Sequence, residues 1–284
     1  SASFCLCSTY SYSICISFLF LYNTCMLTSS FIHESIRYSL FRELDLSPKP
    51  GLVNRINNGC HKDMDYNLMA ESIECISAAF FPFIEIGQKY SLSDSLEIAR
   101  PLAVCLEEQM LSVTHNINTH KGAIYLFAIT NIALGHALAH HKSFNDFLHS
   151  FEIINKNDYE TLLLLDKPKS YGQKIYKQYG LTGIIGEVHR QLDSITTHAL
   201  PLLEQNYDDS IILLSLIAHS EDTCILHHND FQTYNKVKET ALHLMYLGIN
   251  HDDSFFQEYE SFCNYCNANH ISCGGSADLL ALTF

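Results

Sequence analysis

The residues best suited to chemistry follow a proline-rich stretch near the amino end. Lys49 stands between two prolines, which keep the preceding backbone extended, and an ammonium group held in this way suits phosphate oxygens. His61, Asp63 and Asp65 then alternate along the chain. On an extended segment they would lie on one face, and carboxylate oxygens are ligands that Mg²⁺ prefers. The alternative is a solvated loop in which Asp65 caps a helix.

A second polar segment precedes a long apolar stretch. It consists of Asn118, Thr119, His120 and Lys121, followed by Gly122. Asn or Thr can cap the helix that the apolar stretch predicts, and the free N–H groups at its start attract anions. The positive charge of Lys121 would strengthen such a site. Simple capping with an exposed lysine explains the same residues.

Two acidic positions and one glycine turn complete the set. Glu187 follows a Gly-Ile-Ile-Gly segment and could bind a metal or accept a proton. Asp222 follows an apolar helical stretch and could also bind a metal, although a carboxylate at a helix end is usually just solvated. Gly274, Gly275 and Ser276 enter the last helical stretch, which is the geometry of an anion site.

The elements that must position these residues are predicted to be helices. Apolar residues recur at helical spacing along most of the chain, and alternating runs or a βαβ rhythm are not found. Helices are predicted at 30–46, 65–87 with a break at Pro82, 93–113, 121–141, 143–150, 158–165, 171–179, 209–218, 234–247 and 276–284, with another after residue 186. The sequence therefore predicts an all-α fold, a single multi-helix globular domain with functional loops.

Composition narrows the class of protein. The 284 residues are 47% hydrophobic and 17% charged, which suits a folded domain. A net charge of -14 excludes a general nucleic-acid binder, which needs a basic surface. The 11 cysteines, an odd number without regular spacing, indicate reduced thiols and a cytoplasmic location.

Residues 1–29 are interpreted as an N-terminal extension outside the main domain, which covers residues 30–284. The first 25 residues carry no charge, and their apolar run is too short to cross a bilayer. A basic region typical of a signal peptide does not precede that run. A cleaved or lipid-inserted segment is the alternative, but we expect no membrane partner.

The clusters in their order resemble the triphosphoribosyl-dephospho-CoA synthase family over residues 32–284. The matching motifs are Pro-Lys-Pro-Gly-Leu-Val at 48–53, Gly-x-His-x-Asp-Met at 59–64, Asn-Thr-His-Lys-Gly at 118–122, Gly-Glu at 186–187, Asp-Thr at 222–223 and Gly-Gly-Ser-Ala-Asp-Leu-Leu at 274–280. The resemblance implies an enzyme that joins ATP to 3′-dephospho-CoA and releases adenine. The product, 2′-(5″-triphosphoribosyl)-3′-dephospho-CoA, is the precursor of the acyl-carrier prosthetic group of citrate lyase or, in a related branch, malonate decarboxylase.

The resemblance also implies roles, with Mg²⁺ as cofactor and a separate phosphoribosyl-dephospho-CoA transferase as recipient of the product. Catalytic candidates are His61, Asp63, His120 and Glu187. Substrate-binding candidates are Lys49, Asn118, Thr119, Lys121, Gly274, Gly275 and Ser276. Metal-binding candidates are Asp63, Asp65, Glu187 and Asp222.

The chain departs from the family pattern at three notable positions. Ile185 and His228 stand where the family has arginine, and Cys224 stands where it has asparagine. Losing two arginines removes two bidentate phosphate ligands. The alternative function is therefore a catalytically degraded relative that binds a nucleotide or a lyase-system partner without turnover.

Overall fold

A computed structural model describes residues 28–284, and within that range it contains helices, turns and no strand. The predicted all-α fold is therefore confirmed. The first helix, α1, spans Ser29–Asp45, and the Phe31 N–H donates to the Oγ1 of Thr28 at its start over 3.1 Å. Apart from its last two residues, the predicted extension at 1–29 lies outside the described residues.

The remaining helices follow in chain order with short connections. They are α2 (Tyr66–Ser77), α3 (Phe81–Lys89), α4 (Leu92–Val113), α5 (Lys121–Ala139), α6 (Phe144–Leu163), α7 (Tyr171–Tyr179), α8 (Gly183–His189), α9 (Leu200–Glu204), α10 (Asp209–His219), α11 (Phe231–Ile249), α12 (Phe255–Ala268) and α13 (Gly274–Thr283). A π-helical turn (Ser194–Ala199) precedes α9, and a 3₁₀ turn (Thr223–His227) precedes α11.

Helix α5 is the central element of the core. It packs closely on α3 because a glycine faces the partner backbone on each side. A Cβ at Gly87 would lie 1.9 Å from the Ile132 carbonyl oxygen, and one at Gly135 would lie 2.1 Å from that of Ile84. Among residues 28–284, α5 is also the helix long and apolar enough to cross a bilayer, but 72% of that stretch is buried inside the fold. Its hydropathy is thus explained by core packing.

Helix α10, in the carboxyl-terminal half of the chain, is a second buried element of the core. Gly248 on α11 leaves room for Ile211 of α10, since a Cβ there would lie 2.8 Å from the Ile211 side chain. The Arg42 guanidinium on α1 donates to both carboxylate oxygens of Asp209, over 2.7 and 3.0 Å, and joins α1 to the start of α10.

Several predicted boundaries were wrong. The two short helices predicted at 143–150 and 158–165 form one helix, α6, because Phe147, Phe151 and Ile154 continue one buried face across the polar residues between them. The stretch at 65–87 does break, as predicted, but the break lies at residues 78–80, and Pro82 lies in the first turn of α3.

The glycine segments also lie differently from the prediction. The turn expected before a helix at 183–186 is the start of α8 itself, and α13 begins at Gly274 and not after Gly275. Helix α12 was not predicted, although Tyr259, Phe262 and Cys266 have the helical spacing of its buried face.

Candidate active site

The carboxylate of Asp222 holds the amino end of α13. Ser276 donates to its Oδ2 through both N–H and Oγ–H over 2.8 Å, and the N–H groups of Gly275 and Cys224 donate to Oδ1 over 3.2 and 3.0 Å. Asp222 is buried, and burial raises its pKa against these hydrogen bonds. Because a Cβ at Gly275 would lie 2.9 Å from Asp222 Oδ1, the glycine is needed for this close approach.

Lys49 forms a buried ion pair with Glu43 of α1. Its Nζ lies 2.5 Å from Glu43 Oε1 and 2.8 Å from the Glu43 carbonyl oxygen. Burial lowers the pKa of Lys49 and raises that of Glu43, while each charge opposes the shift of the other. Further along the same loop, Gly51 packs on the Ile271 carbonyl, where a Cβ would lie within 1.7 Å. These contacts fasten the loop between α1 and α2 to the turn that enters α13.

His120 directly precedes α5 and is buried. Its Nδ1 lies 2.7 Å from the hydroxyl of Ser72, which also lies 2.7 Å from the hydroxyl of Thr119. The other ring nitrogen, Nε2, is buried without a hydrogen-bond partner among the described residues. Burial, helped by the nearby charge of Lys49, lowers the pKa of His120 to about 3. The ring is therefore neutral at pH 7 and is not a proton donor of ordinary acidity.

The Glu187 carboxylate accepts hydrogen bonds from the start of the π-helical turn. The Ser194 N–H donates to its Oε1 over 2.8 Å and the Ser194 hydroxyl to its Oε2 over 2.9 Å. The Arg190 guanidinium lies 3.7 Å away, and burial raises the pKa of Glu187.

The other predicted residues lie on the surface. Asp65 caps α2 by accepting from the Leu68 N–H over 2.9 Å. Asn118 accepts from the Lys121 N–H over 3.2 Å, and the Lys121 ammonium lies 2.7 Å from a carboxylate oxygen of Glu107.

A partly exposed surface at the amino end of α13 brings together the two polar segments, the two acidic segments and the glycine turn that the sequence singled out. We call this surface the site face. It consists of His61, Gly122, Ile184, Cys224, Ser272, Gly274 and Asp278. His61 Nε2 lies 3.2 Å from the Ser272 hydroxyl. A Cβ at Gly122 would lie 1.9 Å from Asp278 Oδ2 and 3.5 Å from Ile184. A Cβ at Gly274 would lie 3.3 Å from the Cys224 sulfur.

A family model described as ATP:dephospho-CoA triphosphoribosyl transferase (CitG) matches residues 29–284. The chain belongs to this family.

Named relatives agree with that membership. A 2-(5″-triphosphoribosyl)-3′-dephosphocoenzyme-A synthase from Pectobacterium atrosepticum is 33% identical over 270 residues, covering 89% of this chain and 87% of the relative. A Streptococcus mutans protein named as a probable synthase of the same compound is 33% identical over 86% of this chain and 91% of its own length. Protein CitXG from Haemophilus influenzae is 34% identical over 89% of this chain and 58% of that longer protein. No solved structure matches significantly.

In this triphosphoribosyl transferase family member, the predicted metal ligands do not assemble. No three His, Cys, Asp or Glu side chains of residues 28–284 come together as a metal site. The oxygens of Asp222 and Glu187 accept hydrogen bonds from protein donors, Asp65 caps α2, and the side chain of Asp63 is 60% exposed. The four predicted ligands therefore do not form a preassembled Mg²⁺ site.

Sequence reasoning did not place three polar residues of this transferase family member at the site. Glu43 pairs with Lys49, the half-buried Lys238 donates from Nζ to the Ser220 carbonyl, and Asp278 lies on the site face. Glu43 and Lys238 stand within ordinary helical patterns, so they carry no local signal. Asp278 lies within a matched motif and is the fifth residue of α13, but the predicted site residues did not include it.

Proposed function

We propose that the protein is a transferase that joins ATP to 3′-dephospho-CoA, releases adenine and forms 2′-(5″-triphosphoribosyl)-3′-dephospho-CoA. The observation that carries the proposal is the family match over residues 29–284, together with the meeting of five motif segments at the site face. The product is the precursor of the citrate lyase prosthetic group, and a separate phosphoribosyl-dephospho-CoA transferase would receive it.

The reaction replaces an N-glycosidic bond with an O-glycosidic bond. The ribose 2′-hydroxyl of dephospho-CoA attacks C1′ of ATP, and adenine leaves. An oxocarbenium-like transition state is expected, as in other glycosyl transfers. The site must therefore hold the triphosphate, remove the hydroxyl proton and stabilise positive charge at the anomeric carbon.

The proposed role of each candidate residue follows from how exposed its side chain is. His61 is partly exposed, and Asp63, Asn118 and Lys121 are exposed, so these four side chains are accessible to a triphosphate. The ring of His120 is neutral and buried, so we assign it to the layer beneath the site.

The remaining candidates support the site from beneath. Lys49, Glu187 and Asp222 are buried and paired with protein groups, so we assign them to holding the segments in place. The amide groups of Gly275 and Ser276 donate to Asp222, which gives these residues the same supporting role. Thr119 orients His120 through Ser72.

We propose that Mg²⁺ arrives with ATP as part of the substrate. The chain carries a net charge of -14, and a triphosphate needs positive charge to approach such a protein. We place the reaction in the cytoplasm, where ATP is available.

Mass spectrometry of a reaction with magnesium ATP and 3′-dephospho-CoA tests the proposal. We expect adenine and one triphosphoribosyl adduct of dephospho-CoA in equal amounts, and none of the adduct when dephospho-CoA is omitted. Thermal stabilisation by magnesium ATP without adenine release would instead indicate the catalytically degraded relative. If magnesium ATP does not stabilise the protein and no adenine is released, the protein has no role in this chemistry.

A further inference from the structure

Asp278 lies where the motif segments converge. Its carboxylate faces the amino end of α5. The absence of a side chain at Gly122 makes this approach possible, because a Cβ there would lie 1.9 Å from Asp278 Oδ2. The residue as a whole is partly exposed at the site face.

The neighbouring carboxylates are already engaged with protein groups. Glu43 is paired with Lys49 at 2.5 Å, and Asp222 accepts four hydrogen bonds. Glu187 is bound by Ser194, and Glu221 accepts from the N–H groups of Thr182 and Gly183. By contrast, none of the ion pairs among residues 28–284 includes Asp278.

We propose that Asp278 is the general base that removes the proton from the 2′-hydroxyl of 3′-dephospho-CoA. This inference rests on the proposed function. As the hydroxyl oxygen forms its bond to C1′ of ATP, the O–H bond breaks and the proton passes to an Asp278 oxygen. The C1′–N bond breaks with its electron pair remaining on adenine, which takes one proton from water. Asp278 returns its proton to water after the product leaves.

The charges around Asp278 suit a base. Burial raises its pKa well above the ordinary value, and the nearby carboxylates of Glu43 and Asp222 raise it further, while the Ala123 amide opposes them. Burial, and with it the charges of Asp222 and Asp278, raises the pKa of the Cys224 thiol on the 3₁₀ turn. A carboxylate with a raised pKa accepts a proton more readily than an ordinary one, and general bases contribute about 10²–10⁴-fold to rate.

Substitution of Asp278 by asparagine tests the assignment. We expect Asp278→Asn to lower kcat about 100-fold or more, while magnesium ATP still raises its melting temperature as it does for the unaltered protein. The exposed Asp253 lies on the connection between α11 and α12, and Asp253→Asn is the matched control that keeps full activity.

The pH profile separates a base from a structural residue. The rate of the unaltered protein should fall as pH drops through the raised pKa of Asp278, and the residual rate of Asp278→Asn should lack that acidic limb. A rate for Asp278→Asn within about threefold of the unaltered protein would overturn the assignment. So would an acidic limb that disappears in Asp63→Asn but persists in Asp278→Asn, which would make Asp63 the base.

Two further outcomes are decisive. If Asp278→Asn does not fold, Asp278→Ser removes the carboxylate without adding bulk, and we expect its kcat to fall about 100-fold or more; full activity would overturn the proposal. An unaltered protein that releases no adenine would refute the proposed function, and the assignment of Asp278 with it.

Discussion

Lys49 and Lys121 each belong to a motif that resembles the family, but they lie in opposite environments. Lys49 is 1% exposed and paired with Glu43, whereas the side chain of Lys121 is 60% exposed and paired with Glu107. The same division runs through the other predicted site residues and Glu43, the partner of Lys49. The buried layer comprises Glu43, Lys49, His120, Glu187 and Asp222, and the exposed margin comprises Asp63, Asp65, Asn118 and Lys121. The predicted site residues of this chain therefore fall into a buried group and an accessible group.

The largest effect is expected from breaking the buried ion pair. Lys49→Met leaves the Glu43 carboxylate buried without its cation, so the free energy of unfolding should fall by about 3–5 kcal/mol. Urea denaturation measures this change. Glu74→Ala removes the exposed partner of Arg37 and is the control, with an expected loss of about 1 kcal/mol or less. Equal losses in the two variants would contradict the division into layers.

Next in size is the loss of the cap on α13. Asp222→Ala removes the acceptor of four hydrogen bonds and leaves the buried Ser276 N–H unpaired, so we expect a loss of about 3 kcal/mol. The exposed cap Asp65 gives the matched comparison, and Asp65→Ala should cost about 1 kcal/mol. Thermal and urea unfolding of both variants would show whether burial makes the difference.

A third test uses the pH dependence of stability. His120 has a folded pKa of about 3, below the value of about 6.5 in an unfolded chain. Between these values the unfolded chain binds a proton that the native protein does not, so stability falls as pH drops from 6.5 towards 3. The largest slope from this residue is about 1.4 kcal/mol per pH unit.

The variant His120→Gln isolates that contribution. Carboxylates with raised pKa values, such as Asp222 and Glu187, act in the opposite direction but are common to both proteins. The unaltered protein should therefore lose stability relative to His120→Gln as pH falls from 7 to 4, measured by urea unfolding at each pH. Parallel curves would show that His120 is accessible to protons in the native state.

The smallest stability effect is expected in the exposed margin. Lys121→Ala removes a surface ion pair and should change the free energy of unfolding by less than about 1 kcal/mol. Because we assign Lys121 to the triphosphate, KM for ATP should nevertheless rise, by about tenfold, in steady-state adenine release. An unchanged KM would exclude Lys121 from the substrate contacts.

The sequence predicted the helices whose apolar spacing is unbroken, such as α1, α5 and α10. It missed α12, whose buried face is divided among aromatic and cysteine residues. It also divided α6 at a polar run in which Lys156 and Asn157 are exposed but Asn155 is buried. Loops with proline and glycine were located because these residues restrict or permit backbone conformations that regular helices do not need.

The site was predicted less completely than the fold, for a physical reason. Whether a lysine such as Lys49 faces phosphate or a buried carboxylate depends on helix packing, which local sequence does not specify. Asp278 became a candidate because Gly122, more than 150 positions earlier, lacks a side chain at the point of contact. Such a relation exists only in the folded chain.

Hydrogen–deuterium exchange with both substrates tests most directly whether they bind at the site face. With magnesium ATP and 3′-dephospho-CoA, the account predicts slower exchange in peptides covering residues 57–64, 118–124, 222–228 and 270–278, and little change in the exposed groove beside Phe231 and Glu239. Protection of that groove, with unchanged exchange in the four site segments, would contradict the account.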